Sequence, residues 1–554
     1  MKKWIALCVT LSFILTFIAC NGATTNTPTQ QTTLAPTQQT TQGPTQSSTL
    51  APSTGSVTGV PTTNTGTNVS VPTTLVPTTG GNTTISSSTT ISTIPTTDFW
   101  DQDGNGVPDW QEEQITLRYA SWQHTDADAV TIESLMVNAF MEAYPNITVE
   151  MQIVSGDDMW DASFLALSEA NNLPDVFLIK RLANFLPYNI LADVTEYFNN
   201  DPDTNYIFNS VKDLGIYNGV RYAVPTFIYP QLWIVNLDIL DAAGIQIPSY
   251  DWTYEQVEAI AMAATNENTH TLGMYQCQFY SRELPKILKI RAASNPDELQ
   301  EAFGWYAYTY DGTAFHFDDP VFLTAMNKLH DAVSGGYCVA GLSAETLEQW
   351  YLDPTYQPTY NGKVALWREA SWSAKNHFSQ MLFEWDVYPG PDGITGGNTD
   401  IAGISYTSQH KAAAYQLLKW MSYSEPGQVT RFQLFEDFSE MVSISANNYG
   451  YPVVDYGIDG YGVNRLWDNI PYGITAPGFV SYEFIESLKN GGFWVNKETV
   501  GWDEADSVVG PYITKVINGE TTYAAVRETV HAEAVLAMRV AREALDALIE
   551  DFQN

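Results

Sequence analysis

A run of oxygen-bearing residues between positions 101 and 112 could hold a hard metal cation. The candidate ligands are the side chains of Asp101, Asp103, Asn105, Asp109 and Glu112 and the backbone carbonyl of Val107. Ca²⁺ takes about six to eight oxygen ligands, and a cage of this kind needs a glycine, here Gly106, at its sharp turn. The spacing therefore predicts a Ca²⁺ site. An Asp/Asn/Gly turn without a metal is the alternative.

The ligand spacing matches the twelve-position calcium loop of the EF-hand. Two features differ from a regulatory EF-hand: no helical pattern enters the loop, and Pro108 lacks the amide that a paired loop would use. The segment is closer to the solitary calcium loops of dockerin or thrombospondin type 3 repeats. We expect residues 98–114 to form a structural brace and not a sensor.

The charge balance argues against nucleic-acid binding and gives only weak support to a glycoside hydrolase. The chain has 63 acidic residues against 25 Lys and Arg, a formal net charge of −38, which argues against nucleic-acid binding. Paired carboxylates could hydrolyse glycosides, but chance pairs are expected among so many acids. Gly-x-Ser-x-Gly, His-Glu-x-x-His and phosphate-binding Gly-x-x-x-x-Gly-Lys motifs are absent from the sequence. We therefore expect a protein that is not an enzyme, with a glycosidase as a distant alternative.

The N-terminus has the organisation of a bacterial export signal. Lys2 and Lys3 precede an apolar stretch that is too short to be a membrane span. The stretch ends in Phe17-Ile18-Ala19-Cys20, which resembles a lipobox with Phe in place of the usual Leu. Residues 1–19 are therefore predicted to be a lipoprotein signal peptide, with Cys20 as the lipidated residue. An ordinary signal with an incidental cysteine is the alternative.

Residues 20–97 are predicted to be a disordered stalk. They consist almost entirely of Thr, Ser, Pro, Gln, Gly and Asn, and from residue 21 to 97 they carry no charged side chain. Such a segment cannot bury enough apolar surface to offset the entropy of ordering it. If Cys8 leaves with the signal and Cys20 is acylated, Cys277 and Cys338 remain. They could form a disulfide or stay as two buried thiols, and the sequence does not decide between these.

The rest of the chain predicts an α/β fold. Residues 115–122 alternate like a strand, residues 132–143 have helical spacing, and residues 147–153 alternate again. This βαβ order indicates a parallel sheet, in which residues 173–179 read as a buried central strand. Thr253 with Gln256 predicts a capping box, and residues 521–552 predict C-terminal helices. The length from Asp98 onward suffices for two lobes.

An ordered series of motifs resembles the extracellular solute-binding proteins of ABC importers, in the sugar-binding family that includes maltose-binding protein. The matching segments are 121–122, 140–149, 173–176, 218–225, 232–240, 243–253, 361–366 and 402–406. One departure is Val235-Asn236, where the family usually has Tyr-Asn. The resemblance implies a two-lobed, periplasmic-binding-protein-like fold, often called a Venus flytrap. In it, strands near residues 224–228 and 388–400, and a third connection after residues 411–421, cross between the lobes.

The resemblance also implies how the lobes interleave and what the protein does. Residues 115–227 and 392–435 would form the first lobe, and residues 228–391 and 436–554 the second. The implied function is capture of a sugar by lobe closure and its delivery to an ABC permease. The implied form is a monomeric, lipid-anchored protein at the extracellular face of the bacterial membrane.

A sugar site needs flat aromatic rings for stacking and planar polar groups for paired hydrogen bonds. The candidate ligand-binding residues are Trp122, Gln123, Asp175, Lys180, Arg181, Tyr229, Trp305, Arg368, Trp372, Trp385, Ser405 and Tyr406. Among them Trp372 corresponds to a stacking tryptophan of the family, after a Gly-Lys-Val-Ala strand.

Several candidates have structural alternatives. Asp175 could simply begin a strand, Tyr229 could pack at the hinge, and Arg368 could neutralise Glu369. For Trp305 and Trp385, core packing is the favoured role because Trp is highly buried on average. Two further functions remain open: a cell-surface adhesin or polysaccharide-binding protein, which would present a flat platform, and a receptor for a peptide or another polar solute.

Overall fold

A computed structural model describes residues 98–154, 159–437, 450–456, 476–489, 492–495 and 499–553. The predicted signal peptide, Cys20 and the predicted stalk, which together make up residues 1–97, lie outside the described residues. Among the residues that the structure describes, no helix combines the length and the apolar composition needed to cross a membrane.

The domain opens with the predicted βαβ unit. Strand β1 (Ile115–Ala120) and strand β2 (Ile147–Met151) are parallel and are joined by helix α1 (Ile132–Ala143). A capping box between Thr131 and Ser134 starts the helix and satisfies its first free amides. All of β3 (Val176–Ile179) is buried beside β1, which confirms the predicted central strand.

The other strands and helices follow in two groups. The strands are β4 (Ile216–Tyr217), β5 (Val220–Arg221), β6 (Ala223–Asn236), β7 (Leu272–Tyr275), β8 (Cys338–Val339), β9 (Val364–Ala370), β10 (Trp385–Tyr388), β11 (Gly396–Ile404), β12 (Tyr451–Pro452) and β13 (Trp494–Val495). The helices are α2 (Trp160–Glu169), α3 (Leu182–Phe185), α4 (Thr195–Asn199), α5 (Leu237–Ala242), α6 (Tyr254–Ala264), α7 (Gln278–Arg282), α8 (Leu284–Ala292), α9 (Pro296–Phe303), α10 (Pro320–Ser334), α11 (Ala344–Tyr351), α12 (Ser371–Phe378), α13 (Lys411–Ser422), α14 (Glu425–Asp437), α15 (Tyr482–Lys489), α16 (Trp502–Ile517) and α17 (Tyr523–Gln553).

Strand β6 belongs to two sheets. Its first part, Ala223–Pro230, pairs antiparallel with β11, and its second part, Gln231–Val235, pairs with β9. The strand order is β2-β1-β3-β11-β6-β9-β7-β8, and among the described strands β6 connects the two halves of that order. Two hydrophobic clusters form the core: one fills the β1–β3 half and continues into the other half through Leu272, Val364 and Trp367, and the second lies around β7 to β9. This arrangement confirms the predicted two-lobed α/β fold.

The crossing from one sheet to the other lies slightly later in the chain than the sequence suggested. The pairing of β6 changes partner between Pro230 and Gln231, and not within residues 224–228. Strand β11 follows the return of the chain to the first sheet, since β10 before it pairs with the second part of β6, whereas β11 pairs with β3 and with the first part of β6. The half of the molecule that contains β1 to β3 is the first lobe, and the half that contains β7 to β9 is the second lobe.

Residues 451–456 pack on the first lobe, although the sequence predicted that residues 436–554 belong to the second. Tyr451 and Pro452 pair with the first part of β6. The Phe208 amide donates to the carbonyl of Val453 at 3.0 Å. The hydroxyl of Tyr456 donates to the carbonyl of Tyr423 at 2.9 Å. This segment therefore adds an antiparallel edge pairing beside the crossing strand.

Two local predictions are confirmed farther along the chain. Thr253 and Gln256 form the reciprocal capping box that opens α6. The C-terminal helical region is the single helix α17, which spans 31 residues.

Cys277 and Cys338 form a disulfide, the first of the two alternatives that the sequence left open. Their Cα atoms are 6.1 Å apart, and both residues are buried in the second lobe. The bond joins the residue before α7 to the first residue of β8, 61 positions later. It therefore closes a long loop of the second lobe.

We expect replacement of both cysteines by alanine to lower the free energy of unfolding by ~2–4 kcal/mol, because the unfolded chain regains the entropy of that loop. Urea denaturation of the double variant, compared with the oxidised parent, measures the change. An unaltered midpoint would show that the crosslink adds no stability.

Candidate functional site

A cleft of about 790 Å³ lies where the two sheets meet. Its floor comes from Tyr229 of β6 and from Asn398, Thr399 and Asp400 of β11. The first-lobe wall consists of Trp122, Lys180, Arg181, Leu182, Ala183, Asp213, Leu214, Gly215, Ile216 and Tyr217. The other wall includes Tyr310, Gly312, Trp372, Thr499 and Val500. The volume is within the range of sites for small ligands.

Two aromatic residues meet at the base of the cleft. Trp372, the second residue of α12, lies edge to face with Tyr229 at a centroid distance of 6.2 Å. Trp372 keeps 38% of its surface exposed, whereas Tyr229 keeps 3%. An indole that is half covered and half open can still stack on a ligand face.

Tyr229 is held as a neutral hydrogen-bonding group. Gln123 lies behind the cleft surface, where its Nε2 donates to the Tyr229 hydroxyl at 3.2 Å. Burial, and next the negative charge of Asp400, raise the pKa of Tyr229 well above its usual value. The phenol therefore remains protonated and can donate a hydrogen bond at any physiological pH.

The first-lobe wall combines an indole with two cations. The Lys180 ammonium is 5.9 Å from the centroid of the Trp122 ring, a cation–π distance. Trp122 is itself braced edge to face by Trp160 at 5.3 Å. Arg181 forms an ion pair with Asp503 of α16. Since α16 packs with the second lobe, this pair joins the two walls of the cleft.

The structure thus brings five of the twelve candidate ligand residues to the cleft and Gln123 just behind it. Those at the surface of the cleft are Trp122, Lys180, Arg181, Tyr229 and Trp372. Trp372, the residue that the family motif after β9 indicated, lines the cleft because the turn from β9 into α12 opens there.

Asp175 and Ser405 instead hold strands together. The Asp175 carboxylate accepts from the Arg118 amide at 2.9 Å and from the Ser408 hydroxyl at 2.6 Å. The Ser405 amide donates to the Asp175 carbonyl at 2.9 Å, and Ser405 is buried. For Asp175 the strand-starting alternative is therefore the one that the structure supports.

Arg368 is turned away from the cleft. Its guanidinium forms a buried ion pair with Glu283 at 2.5 Å inside the second lobe. The neighbouring Glu369 accepts from the Tyr360 hydroxyl and pairs with His377, both at 3.0 Å. Arg368 therefore pairs with Glu283 and not with Glu369, and it is not among the residues that line the cleft.

The other aromatic candidates lie outside the cleft lining. Trp305 is 2% exposed and stacks on His316 at 5.8 Å. Trp385 packs on Phe378 at 4.3 Å, so both tryptophans have the packing role. Tyr406 is 46% exposed, but it is not part of the cleft surface.

Sequence reasoning missed the polar floor. Asn398, Thr399 and Asp400 are consecutive residues of β11, the strand that returns to the first lobe. The Thr399 hydroxyl is buried and has no hydrogen-bond partner within the described part of the chain. A run of polar residues inside a predicted crossing strand was the signal that could have identified them, since a crossing strand passes the cleft.

The predicted calcium loop brings its carboxylates together. Single oxygen atoms of Asp101, Asp103 and Asp109 all lie within 4.8 Å of one another. The Asp101 carboxylate also accepts from the amides of Gly104 and Gly106, at 2.8 and 2.7 Å, and these bonds lower its pKa despite partial desolvation. Both glycines have positive φ, 72° and 88°, which a side chain would strain. The oxygen donor set and its convergence fit Ca²⁺.

Aromatic contacts fix the loop to the first lobe. Trp100 lies 5.9 Å from Tyr415 between ring centroids, and its indole donates to the Asn200 carbonyl at 3.3 Å. On the other side, Trp110 lies 5.3 Å from Tyr144. The loop is therefore a packed part of the domain, as a structural brace requires.

Comparison with known proteins places the fold among binding proteins. A family model described as bacterial extracellular solute-binding protein matches residues 124–428, more than half of the chain. The sugar-binding protein MalE from Xanthomonas citri has a TM-score of 0.55 and 16% identity over 78% of this chain and 99% of its own.

Two further solved structures have the same fold. The cyclic α-maltosyl-1,6-maltose binding protein from Arthrobacter globiformis has a TM-score of 0.54 and 17% identity over 79% of this chain and 100% of its own. The Listeria monocytogenes ABC substrate-binding protein in complex with cycloalternan has a TM-score of 0.52 and 20% identity over 76% of this chain and 98% of its own. The two-lobed fold, the cleft between the lobes and the matched residues agree: the chain belongs to the bacterial extracellular solute-binding protein family.

Proposed function

We propose that this protein captures a carbohydrate in the cleft between its lobes and presents it to an ABC importer. The observation that carries the proposal is the pairing of two indoles that line the cleft with a polar floor. Trp122 and Trp372 lie on opposite walls, and Tyr229, Asn398 and Asp400 lie between them. Aromatic rings suit the C–H faces of a sugar ring, while the floor suits its hydroxyls.

Capture would proceed by rotation of one lobe relative to the other about β6 and β11. A ligand held by both walls binds the closed form better than the open form and so shifts the population toward closure. The pairing of β6 changes from β11 to β9 between Pro230 and Gln231, so the backbone passes from one lobe to the other at that point. Lobe rotation requires backbone change at such places.

The relatives support a sugar as the ligand class. The solved structures named above include one in complex with cycloalternan and one described as binding a cyclic maltosyl-maltose. We further propose that Cys20 carries a lipid and keeps the protein at the extracellular face of the membrane, near its permease. This part rests on the lipobox-like sequence at residues 17–20.

The cleft argues against one of the alternatives, and assays separate the other two. An adhesin that reads a polymer would present a flat platform, whereas Trp122 and Trp372 stand on two separate walls. A glycosidase would release shorter sugars during incubation with oligosaccharides. A peptide receptor would respond to a peptide pool and not to sugars.

We propose that residues 101–112 bind Ca²⁺ and brace the start of the domain. The ligands would be those predicted from the sequence, with Asp101, Asp103 and Asp109 already convergent. The cation would neutralise carboxylates that otherwise repel one another and would hold the loop that carries Trp100 and Trp110.

A thermal-shift screen of the protein against maltotetraose, cyclic maltodextrins, xylo-oligosaccharides, monosaccharides and a peptide pool tests the ligand class. We expect at least one oligosaccharide to raise the melting temperature, because a ligand that binds only the folded state stabilises it. A shift with peptides alone would contradict the proposal, and appearance of hydrolysis products on chromatography would favour the glycosidase.

Trp372→Ala should weaken binding of the oligosaccharide identified in that screen by more than about tenfold, since it removes a stacking surface. Isothermal titration calorimetry measures the change. Tyr406→Ala is the matched control, because Tyr406 is a similarly exposed aromatic outside the cleft. Equal affinities of the Trp372 variant and the parent would refute the stacking role.

Added Ca²⁺ should raise the melting temperature of the protein, and a chelator should lower it, by mass action on the folded state. Asp103→Asn should lose most of this response. Asp128→Asn, which removes an exposed carboxylate elsewhere, should keep it. If the parent shows no response, the loop is an Asp/Asn/Gly turn that binds no metal.

A further inference from the structure

The C-terminal helix α17 begins in one lobe and ends on the other. Its first residue, Tyr523, donates to the Phe317 carbonyl at 2.9 Å, and Met538 lies in the second-lobe core. Seven residues later, Leu545 is buried in the other cluster, and the turn that follows reaches the first lobe, where Ile549 and Phe552 lie beside Phe185 and Leu186. A helix of 31 residues is roughly 46 Å long, which is enough to span both lobes.

Arg542 holds the second-lobe wall of the cleft. Its guanidinium donates to the Tyr310 hydroxyl at 2.9 Å, to the Thr313 carbonyl at 2.7 Å and to the Val500 carbonyl at 3.2 Å. Tyr310 and Val500 line the cleft. Next to this contact Gly501 approaches the backbone of Met538 so closely that a Cβ would lie 2.6 Å from its carbonyl oxygen. The helix therefore packs tightly against this wall of the cleft.

Asp546, one turn later, holds the first-lobe wall. Its Oδ1 accepts from the Tyr217 hydroxyl at 2.8 Å and from the Asn218 amide at 2.9 Å. Tyr217 lines the cleft, and its pKa is raised by burial and next by the bond to Asp546, so the phenol stays a donor. The end of the helix adds apolar contacts, since Ile549 and Phe552 share a small cavity with Phe185 and Leu186.

We propose that Arg542 and Asp546 form a latch that ties the two walls of the cleft together and favours its closed form. Residues four apart on a helix are separated by about 6 Å along its axis, and that distance is rigid. While both contacts hold, the Tyr310 and Tyr217 walls cannot move apart. Opening of the cleft must release one of them.

Asp546 is the contact that gives way. Arg542 makes three hydrogen bonds, and the part of α17 before it is buried in the second lobe through Tyr523, Val530, Ala534 and Met538. Asp546 makes two bonds to the short hairpin β4–β5, and the apolar contacts beside it are the fewer ones of Leu545, Ile549 and Phe552. The latch depends on the proposed function because its purpose is to set how often the cleft is closed. It would raise the affinity of the protein for its ligand without touching the ligand, since the apparent dissociation constant varies inversely with the closed fraction.

A distance measurement that needs no ligand tests the latch. Spin labels on Glu169→Cys, at the end of α2 in the first lobe, and on Glu348→Cys, in α11 of the second lobe, report the separation of the lobes by double electron–electron resonance. Both positions are exposed. We expect Asp546→Ala to add a population at longer distance and Asp546→Asn to give an intermediate result, because the amide keeps one acceptor oxygen.

Glu543→Ala is the matched control, because Glu543 lies on the same helix and pairs only loosely with Arg539, at 3.8 Å. It should leave the distances unchanged. If Asp546→Ala fails to fold, Asn218→Gly tests the same contact from the other side. Glycine accepts the positive φ of 48° at that position, so this change removes the donor without straining the backbone. Distance distributions of the Asp546 and Asn218 variants that superimpose on the parent would overturn the proposal.

Maltotetraose binding to the same proteins tests the consequence for affinity. Asp546→Ala should bind about three- to tenfold more weakly, mainly through faster dissociation, while Glu543→Ala binds normally. Longer distances together with unchanged affinity would overturn the role in binding. If maltotetraose does not bind the parent, the oligosaccharide identified in the thermal-shift screen takes its place. If no sugar binds, the proposed function fails, and the distance measurement alone decides whether the latch exists.

Discussion

Strand β6 has to satisfy its backbone hydrogen bonds in two sheets, and the rest of the molecule is arranged around that requirement. Its partner changes from β11 to β9 between Pro230 and Gln231. Thirteen of its fourteen residues are buried, so an unpaired amide or carbonyl there would cost the full desolvation penalty. The two lobes can therefore move relative to each other only in ways that keep β6 paired with β11 before Gln231 and with β9 after Pro230.

The position of the cleft follows from the same requirement. Where the sheets meet, β6 and β11 have a lobe on either side. Tyr229 and Asp400, which belong to these strands, therefore form the floor of the cleft. The walls are supplied by the ends of other strands and by the starts of the helices that come after them, as with Trp122 after β1 and Trp372 after β9. A ligand site at strand ends is a general property of α/β sheets.

Sequence patterns predicted the parts of this protein that depend on local periodicity. The opening βαβ unit, the buried strand at Val176–Ile179 and the capping box at Thr253 all follow from spacing that is visible over a few residues. Within the site, Trp372 could be predicted from a family motif. Arg368 was misjudged because its partner, Glu283, lies 85 positions away and nothing local indicates the pairing. The contact of Asp546 with Tyr217 spans 329 positions and is likewise invisible without the fold.

The way the Asp98–Glu112 segment is attached has a mechanical consequence. Trp100 and Trp110 pack against Tyr415 and Tyr144, all within the first lobe. Any tension on the chain ahead of Asp98 is therefore transmitted to the first lobe before it can reach β6 or β11. If the lipid anchor proposed at Cys20 is the point of attachment, a pull on it would load the first lobe, and rotation of the second lobe about β6 and β11 would not have to work against that pull.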